Sequence, residues 1–254
     1  MNAAFTLWHK HMCKLRANPE ETVGMLIQPI LWVVLFGVGM KSMMSPMGGD
    51  ENTYIGFMVP GIVAFTALSG GIAGGTVWLD ERIRGIVKEY LVAPIPRLSI
   101  LMGNAMSIVT KSLLQALVIF IIGVLMGATL DKNVLGWLGG VVLVSGYGLG
   151  FAGIALAVAS KTDTPGAYHM LIFMLNLPLL FLSNSLYPLA NLPKWMDIGA
   201  RLNPTSYVAD GLRQMVLVDA EGGVFELWLC FVVVGVFSAV GMWLALSAFR
   251  SSVK

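Results

Sequence analysis

Charge is what this sequence has least of. Only 12% of its 254 residues are Asp, Glu, Lys or Arg, while 57% are hydrophobic. A soluble domain carries roughly a quarter charged residues and under half apolar ones. A water-soluble fold of this length has no way to hide so much apolar surface, so lipid is the implied solvent. The net charge of +2 is too small to speak for or against nucleic acid, but there is no Lys- or Arg-rich run to track a phosphate backbone, so no nucleic-acid partner is expected. Cysteine is nearly absent. Cys13 and Cys230 belong to no CxxC or Cys/His cluster. The spans assigned below put them near opposite membrane faces, too far apart to pair, so both read as packing residues.

Catalytic signatures are missing too. There is no G-x-x-x-x-G-K-[ST] loop, so ATP is not bound by that route. There is no H-E-x-x-H, paired carboxylate or nucleophile elbow. His9, His11 and His169 are scattered and read as structural. No catalytic residue, metal ligand or cofactor is implied in this chain. Acidic residues are also absent from the middle of every apolar segment: Glu20 and Glu21 precede the first, and Asp80, Glu81 and Glu89 follow the second. A carrier driven by protons or sodium usually needs an ionisable group at membrane depth. Lys111 is the nearest candidate, and at the inner end of the third segment it can snorkel to water. Any energy must come from elsewhere.

What the sequence does hold is long apolar segments. Six are long enough to span at roughly 20 residues each: Val23–Met40, Tyr54–Leu79, Leu113–Leu130, Val134–Ala159, Ala167–Leu189 and Leu227–Phe249. The first begins only after a long polar lead and has no A-x-A-like site behind it, so it reads as a first span, not a cleavable signal. Six spans put both termini on one side. That side carries Lys10, Lys14, Arg16, Arg82, Arg84, Lys88, Arg97, Lys111, Lys161, Arg250 and Lys254, eleven cations against five (Lys41, Lys132, Lys194, Arg201, Arg213) on the other. Cytoplasmic segments carry the excess of Lys and Arg, so both termini are expected inside. Tyr54, Trp137, Tyr187, Trp195 and Trp228 then fall at the outer boundary, where amphipathic rings prefer to sit.

Ahead of the first span, Phe5, Trp8, Met12 and Leu15 recur at helical spacing, with Lys10, Lys14 and Arg16 off the stripe. Residues 1–22 therefore read as an amphipathic helix on the inner surface, or packed on a cytoplasmic partner. Residues 23–254 form the membrane domain. Within it Gly70/Gly74, Gly71/Gly75, Gly136/Gly140 and Gly146/Gly150 each make a GxxxG, which lets helix backbones approach closely. Packing within one protomer is the expected use.

Two connecting stretches stand out. Residues 80–97, DERIRGIVKEYLVAPIPR, mix charges with Ile83, Ile86, Val87, Tyr90 and Leu91 at helical spacing, then stop at Pro94 and Pro96. A short amphipathic helix of this kind can dock in a partner's groove, although an ordinary solvated loop has the same composition. Residues 178–215 are interrupted by Pro188, Pro193 and Pro204, and the pieces are too short to span. They are expected to dip in and return, as re-entrant or interfacial helices.

At these stretches the chain resembles permeases of the ABC transporter type-2 exporter family. After the second span the resemblance rests on Glu81-Arg82, Gly85, Glu89, Tyr90-Leu91-Val92, Pro94 and Arg97. Before the last span it rests on Ser183-Asn184, Tyr187-Pro188, Pro193-Lys194-Trp195, Asn203-Pro204 and Arg213, and Val59-Pro60-Gly61 fits as well. The resemblance implies an all-α membrane protein that works as two copies, a homodimer or a pair with a close relative, with two ATPase subunits that bind ATP and Mg. It implies that residues 81–97 are the coupling helix on the ATPase, that the N-terminal helix is a second contact, and that the outer hairpin, about 183–215, caps the translocation path. Ile86-Val87-Lys88 departs from the threonine and acidic residue of many relatives. Leu68-Ser69-Gly70-Gly71 matches the start of the ATPase signature, but inside an apolar span it reads as chance.

The expectation is an export permease of the cytoplasmic membrane of a bacterium or archaeon, in contact with membrane lipids, moving a hydrophobic or amphipathic cargo such as a drug-like compound or a lipid. A lipid-linked polysaccharide exporter of the same family and an ATP-independent channel are the alternatives.

Overall fold

The computed structural model describes residues 3–44, 51–92, 96–189, 193–218 and 223–252. Among these the fold is helical: α1 (Ala3–Ala17), α2 (Pro19–Met44), α3 (Glu51–Ile83), α4 (Ile86–Val92), α5 (Arg97–Leu125), α6 (Val134–Lys161), α7 (Pro165–Phe181), α8 (Lys194–Leu202), α9 (Pro204–Val216) and α10 (Leu227–Ser252). The described residues form no sheet, only an isolated bridge between Leu130 and Leu217. Five helices hold segments long and apolar enough to cross a membrane: Thr22–Gly39, Tyr54–Ile83, Leu98–Leu125, Val134–Lys161 and Leu227–Ala248. Helix α7 is apolar but has only 17 residues.

Helix α3 is the axis of the bundle. In its apolar segment 78% of residues are buried, against 17% in α2 and 22% in α10. It touches α2, α5, α6, α7 and α9. The four glycine pairs explain how so many helices fit together. Gly70 and Gly74 face Ser112 and Ile108 of α5, while Gly71 and Gly75 face Phe151, Ala152 and Ala155 of α6. Gly136 and Gly140 face Met215 and Leu212 of α9, and Gly146 and Gly150 face Val234 and Phe237 of α10. Each pair meets a neighbour within the protomer, where a Cβ would collide or crowd. The largest core cluster gathers Met58, Ile62, Ile119, Leu143, Tyr147 and Leu212 from four helices.

Three boundaries differ from the sequence reading. The third segment starts earlier, at Arg97, because the helix runs through Asn104, Ser107, Lys111 and Ser112. These lower the hydropathy, yet Asn104, Ser107 and Ser112 are buried against neighbours. The helix stops at Leu125, just before Gly127, whose φ is +113°. The fifth segment ends at Phe181 and continues as irregular chain through the buried Ser183, Asn184 and Ser185. Finally, residues 81–97 are not one helix. Asp80–Ile83 complete α3, and Gly85, with φ +82°, turns the chain into the separate α4. The Gly85 amide donates to Arg82 O at 3.1 Å and that of Arg84 to Asp80 O at 3.0 Å, as at a left-handed helix C-terminus. Pro94 lies outside the described residues, and only the backbone of Arg97 is described, at the start of α5.

Candidate functional site

At one end of the bundle α1, α3 and α4 meet in a charged junction. Glu81 is turned inward: its side chain is 12% exposed, and it accepts from Lys10 Nζ at 2.9 Å and from Tyr90 Oη at 3.3 Å. Lys10 also donates to Tyr90 Oη and lies 5.0 Å from the centre of its ring. Burial works against the Lys10 ammonium, but these hydrogen bonds prevail and hold its pKa above the usual lysine value. The Tyr90 hydroxyl is pushed up, chiefly by burial. Beside them His11 is buried, and its pKa is held below 6.5 by that burial and by Lys10, Lys111 and Lys14, with Glu81 opposing.

Helix α1 is seated along α5. Trp8 Nε1 donates to Thr110 Oγ1 at 3.0 Å, and Ala4 and Leu7 close over Gly103. Phe5, expected in the apolar stripe, is exposed; Ala4, Leu7, Trp8 and His11 line the packed face with Met12 and Leu15.

Arg82 points the other way. Its Nη1 donates to Ala159 O, Ser160 O and Thr162 O at 3.1, 2.8 and 3.2 Å, and Nη2 lies 3.5 Å from Asp163 Oδ1. A cation there satisfies the last carbonyls of α6 and complements its dipole. The face of α4 left open carries Glu89 and Val92, both exposed. Thus Glu81 and Arg82 are engaged within the chain, while Glu89 is exposed and has no partner among the described residues.

The other end holds the second predicted group. Asn203 breaks α8 from α9 and serves both α7 and α9. Its Oδ1 accepts from the Thr205 amide at 3.0 Å, and its Nδ2 donates to Leu179 O and Leu182 O at 2.7 and 2.6 Å. Pro204 then occupies the first helical position, where a missing N–H costs nothing. Arg213 is buried. It donates to Phe57 O at 2.8 Å, Asn184 O at 2.6 Å and Ser185 O at 3.4 Å, with its guanidinium 3.6 Å from the centre of the Phe57 ring. With its amide turned to satisfy both ends, Asn184 accepts from Arg213 Nη1 and donates to Ser206 O, each at 3.2 Å. Tyr187 bonds Phe181 O. Pro188, Pro193 and Trp195 are exposed.

Sequence reasoning missed several partners. Lys10 and His11 belong to the first group. Asp210 belongs to the second: it accepts from the Val224 and Phe225 amides at 3.2 and 2.9 Å, holding the turn before α10. Tyr147 pairs with Thr205 across a 2.5 Å hydrogen bond. The one available signal was a polar group in an otherwise apolar helix, at Tyr147 of α6.

Comparison with known proteins converges on one family. Residues 2–217 match the family model described as ABC-2 type transporter. The transport permease ycf38 of Cyanophora paradoxa is 32% identical over 217 residues, covering 82% of this chain and 72% of the relative. Its counterpart from Porphyra purpurea is 33% identical over 200 residues, 77% of this chain and 67% of that one. A daunorubicin resistance ABC transporter permease protein, DrrB1 of Streptomyces coeruleorubidus, is 22% identical over 249 residues, 95% of this chain and 85% of the relative. The chain is a multi-pass membrane protein and belongs to the ABC-2 type transporter family, as a transport permease.

Proposed function

We propose that the chain is the membrane-spanning subunit of an exporter driven by a separate ABC ATPase. The observation that carries this reading is the wiring of α4. Seven residues are too few for a stable isolated helix. Here α4 is tied by Tyr90 to Glu81 at the end of α3, and the next residue, Arg82, grips α6. A push on the open face, Glu89 and Val92, is thereby delivered to the most buried span and to its neighbour. The family normally pairs its permeases with such an ATPase.

Several finer features belong to the same proposal. Helix α7 makes a sixth crossing: Thr162 lies beside Arg82 and Asn184 joins Phe57 through Arg213, so residues 163–183 run between the two ends of α3. Helix α1 lies at the inner surface, and the termini are cytoplasmic. Helices α8 and α9 form the outer re-entrant hairpin. Two permease copies and two ATPases enclose the path, and the cargo is hydrophobic or amphipathic.

The test is reconstitution with the candidate ATPase, using daunorubicin as first probe. Val92→Asp should abolish complex formation while the permease stays folded. A complex that survives Val92→Asp removes α4 as the docking element. Export that continues with no ATPase present establishes a channel instead.

A further inference from the structure

Pro29 lies inside α2, buried against the rest of the protein. Proline has no N–H, so the carbonyl four residues back, Met25 O, is left without its helical donor. In hydrocarbon no water replaces it, and another protein group must. Gln115 of α5 does so. The residue is 5% exposed, and its Nε2 donates to Met25 O at 2.9 Å.

We infer that Gln115 is a positioning residue that closes the Pro29 break and clasps the first span to α5. Further along, α2 is held by one narrow face, where Val33 and Gly37 are buried and Trp32 and Phe36 pack against the core. Ile27, Leu31, Val34, Leu35 and Val38 all face outward. Trp32 meets the Phe65 ring of α3 at 5.8 Å. The other half of the amide supports the assignment. Gln115 Oε1 has no hydrogen-bond partner among the described residues, and neither has the nearby Ser112 Oγ. Leucine or methionine would fill the same space with no orphaned oxygen. The donor end is therefore what this position uses. Released from Gln115, α2 would be free to change its bend at residues 25–29, ahead of the Val33–Gly37 face that stays packed on α3, with α6 and α10 unmoved. The clasp thus sets the resting position of the span best able to move during transport.

Amide hydrogen exchange on the full chain in phosphatidylethanolamine–phosphatidylglycerol nanodiscs tests this, using Gln115→Leu, Pro29→Ala and the double variant. Gln115→Leu should speed exchange over residues 25–33 by about five- to tenfold, the equivalent of one net hydrogen bond, with α6 and α10 unchanged. Pro29→Ala restores the backbone donor for Met25 O, so the double variant should exchange no faster than the native chain. Unchanged exchange in Gln115→Leu overturns the proposal, and so does an equal rise in the double variant. Should Gln115→Leu fail to assemble, assembly of the double variant supports the clasp, and failure of both overturns it.

Discussion

Arg82 sits at the end of α3, yet its guanidinium closes the end of α6, with Nη1 2.8 Å from Ser160 O. One side chain thus joins two helices at the point where the chain turns into α4.

Arg82→Ala should loosen that joint. The side chain is about one-third exposed. Hydrogen bonds from a charged donor contribute roughly 1.5–3 kcal/mol when dry, so about 1–2 kcal/mol is expected here. Arg82→Lys keeps the charge but loses the planar fork, and should fall between. Thermal unfolding in detergent reads the difference. Equal melting of all three proteins would show that the joint is not structural.

The Lys10–Glu81 pair should hold α1 in place. Lys10→Ala and Glu81→Ala are each expected to expose α1 to protease, and the reversed pair Lys10→Glu/Glu81→Lys to protect it again. The coupling should be under about 1 kcal/mol, because the Lys10 side chain is still nearly half exposed. Protease resistance in both single variants counts against this role.

His11 gives the seating of α1 a pH dependence. Its folded pKa lies below the ordinary 6.5. Undocked helix therefore binds more protons than docked helix as pH falls below 6.5. The stabilisation is complete above that pH and is lost as pH drops through the folded pKa. The facing charges are Glu81, Lys10, Lys14 and Lys111. Proteolysis of α1 should rise below pH 6.5 in the native protein and stay flat in His11→Asn.

Arg213→Met should be the most damaging of these changes. It leaves the carbonyls of Phe57, Asn184 and Ser185 without their buried donor. A loss of roughly 2–4 kcal/mol is expected. Yield of monodisperse protein and its melting temperature both report it.

Sidedness can be read with impermeant thiol reagents on a Cys13→Ser background. Lys161 and Lys194 are both exposed. Cysteines at these positions should label from opposite faces, Lys161 from inside. Labelling from one face would mean that α7 does not cross.

Much of the architecture was legible because it depends on local properties. Apolar length marked the five long apolar helices, and the prolines, Pro204 among them, marked the break between α8 and α9, whereas the turn at Gly85 was read as part of one helix. The extension of α5 was not legible, since its polar first third is packed against α1, far away in sequence. Nor was the engagement of Glu81. Lys10 is 71 residues distant, and no periodicity links the two. Charge patterning marked the group as special but could not separate an exposed residue, such as Glu89, from one already occupied.

The glycine pairs carry a consequence for how two copies would adhere. Each is spent on a neighbour within its own protomer. The exposed flank of α7 instead offers Met170, Phe173 and Met174. Long, soft side chains repack at little cost. Contact made through such groups would be a lubricated seam, firm enough to keep two halves together and slippery enough to let them part along a path.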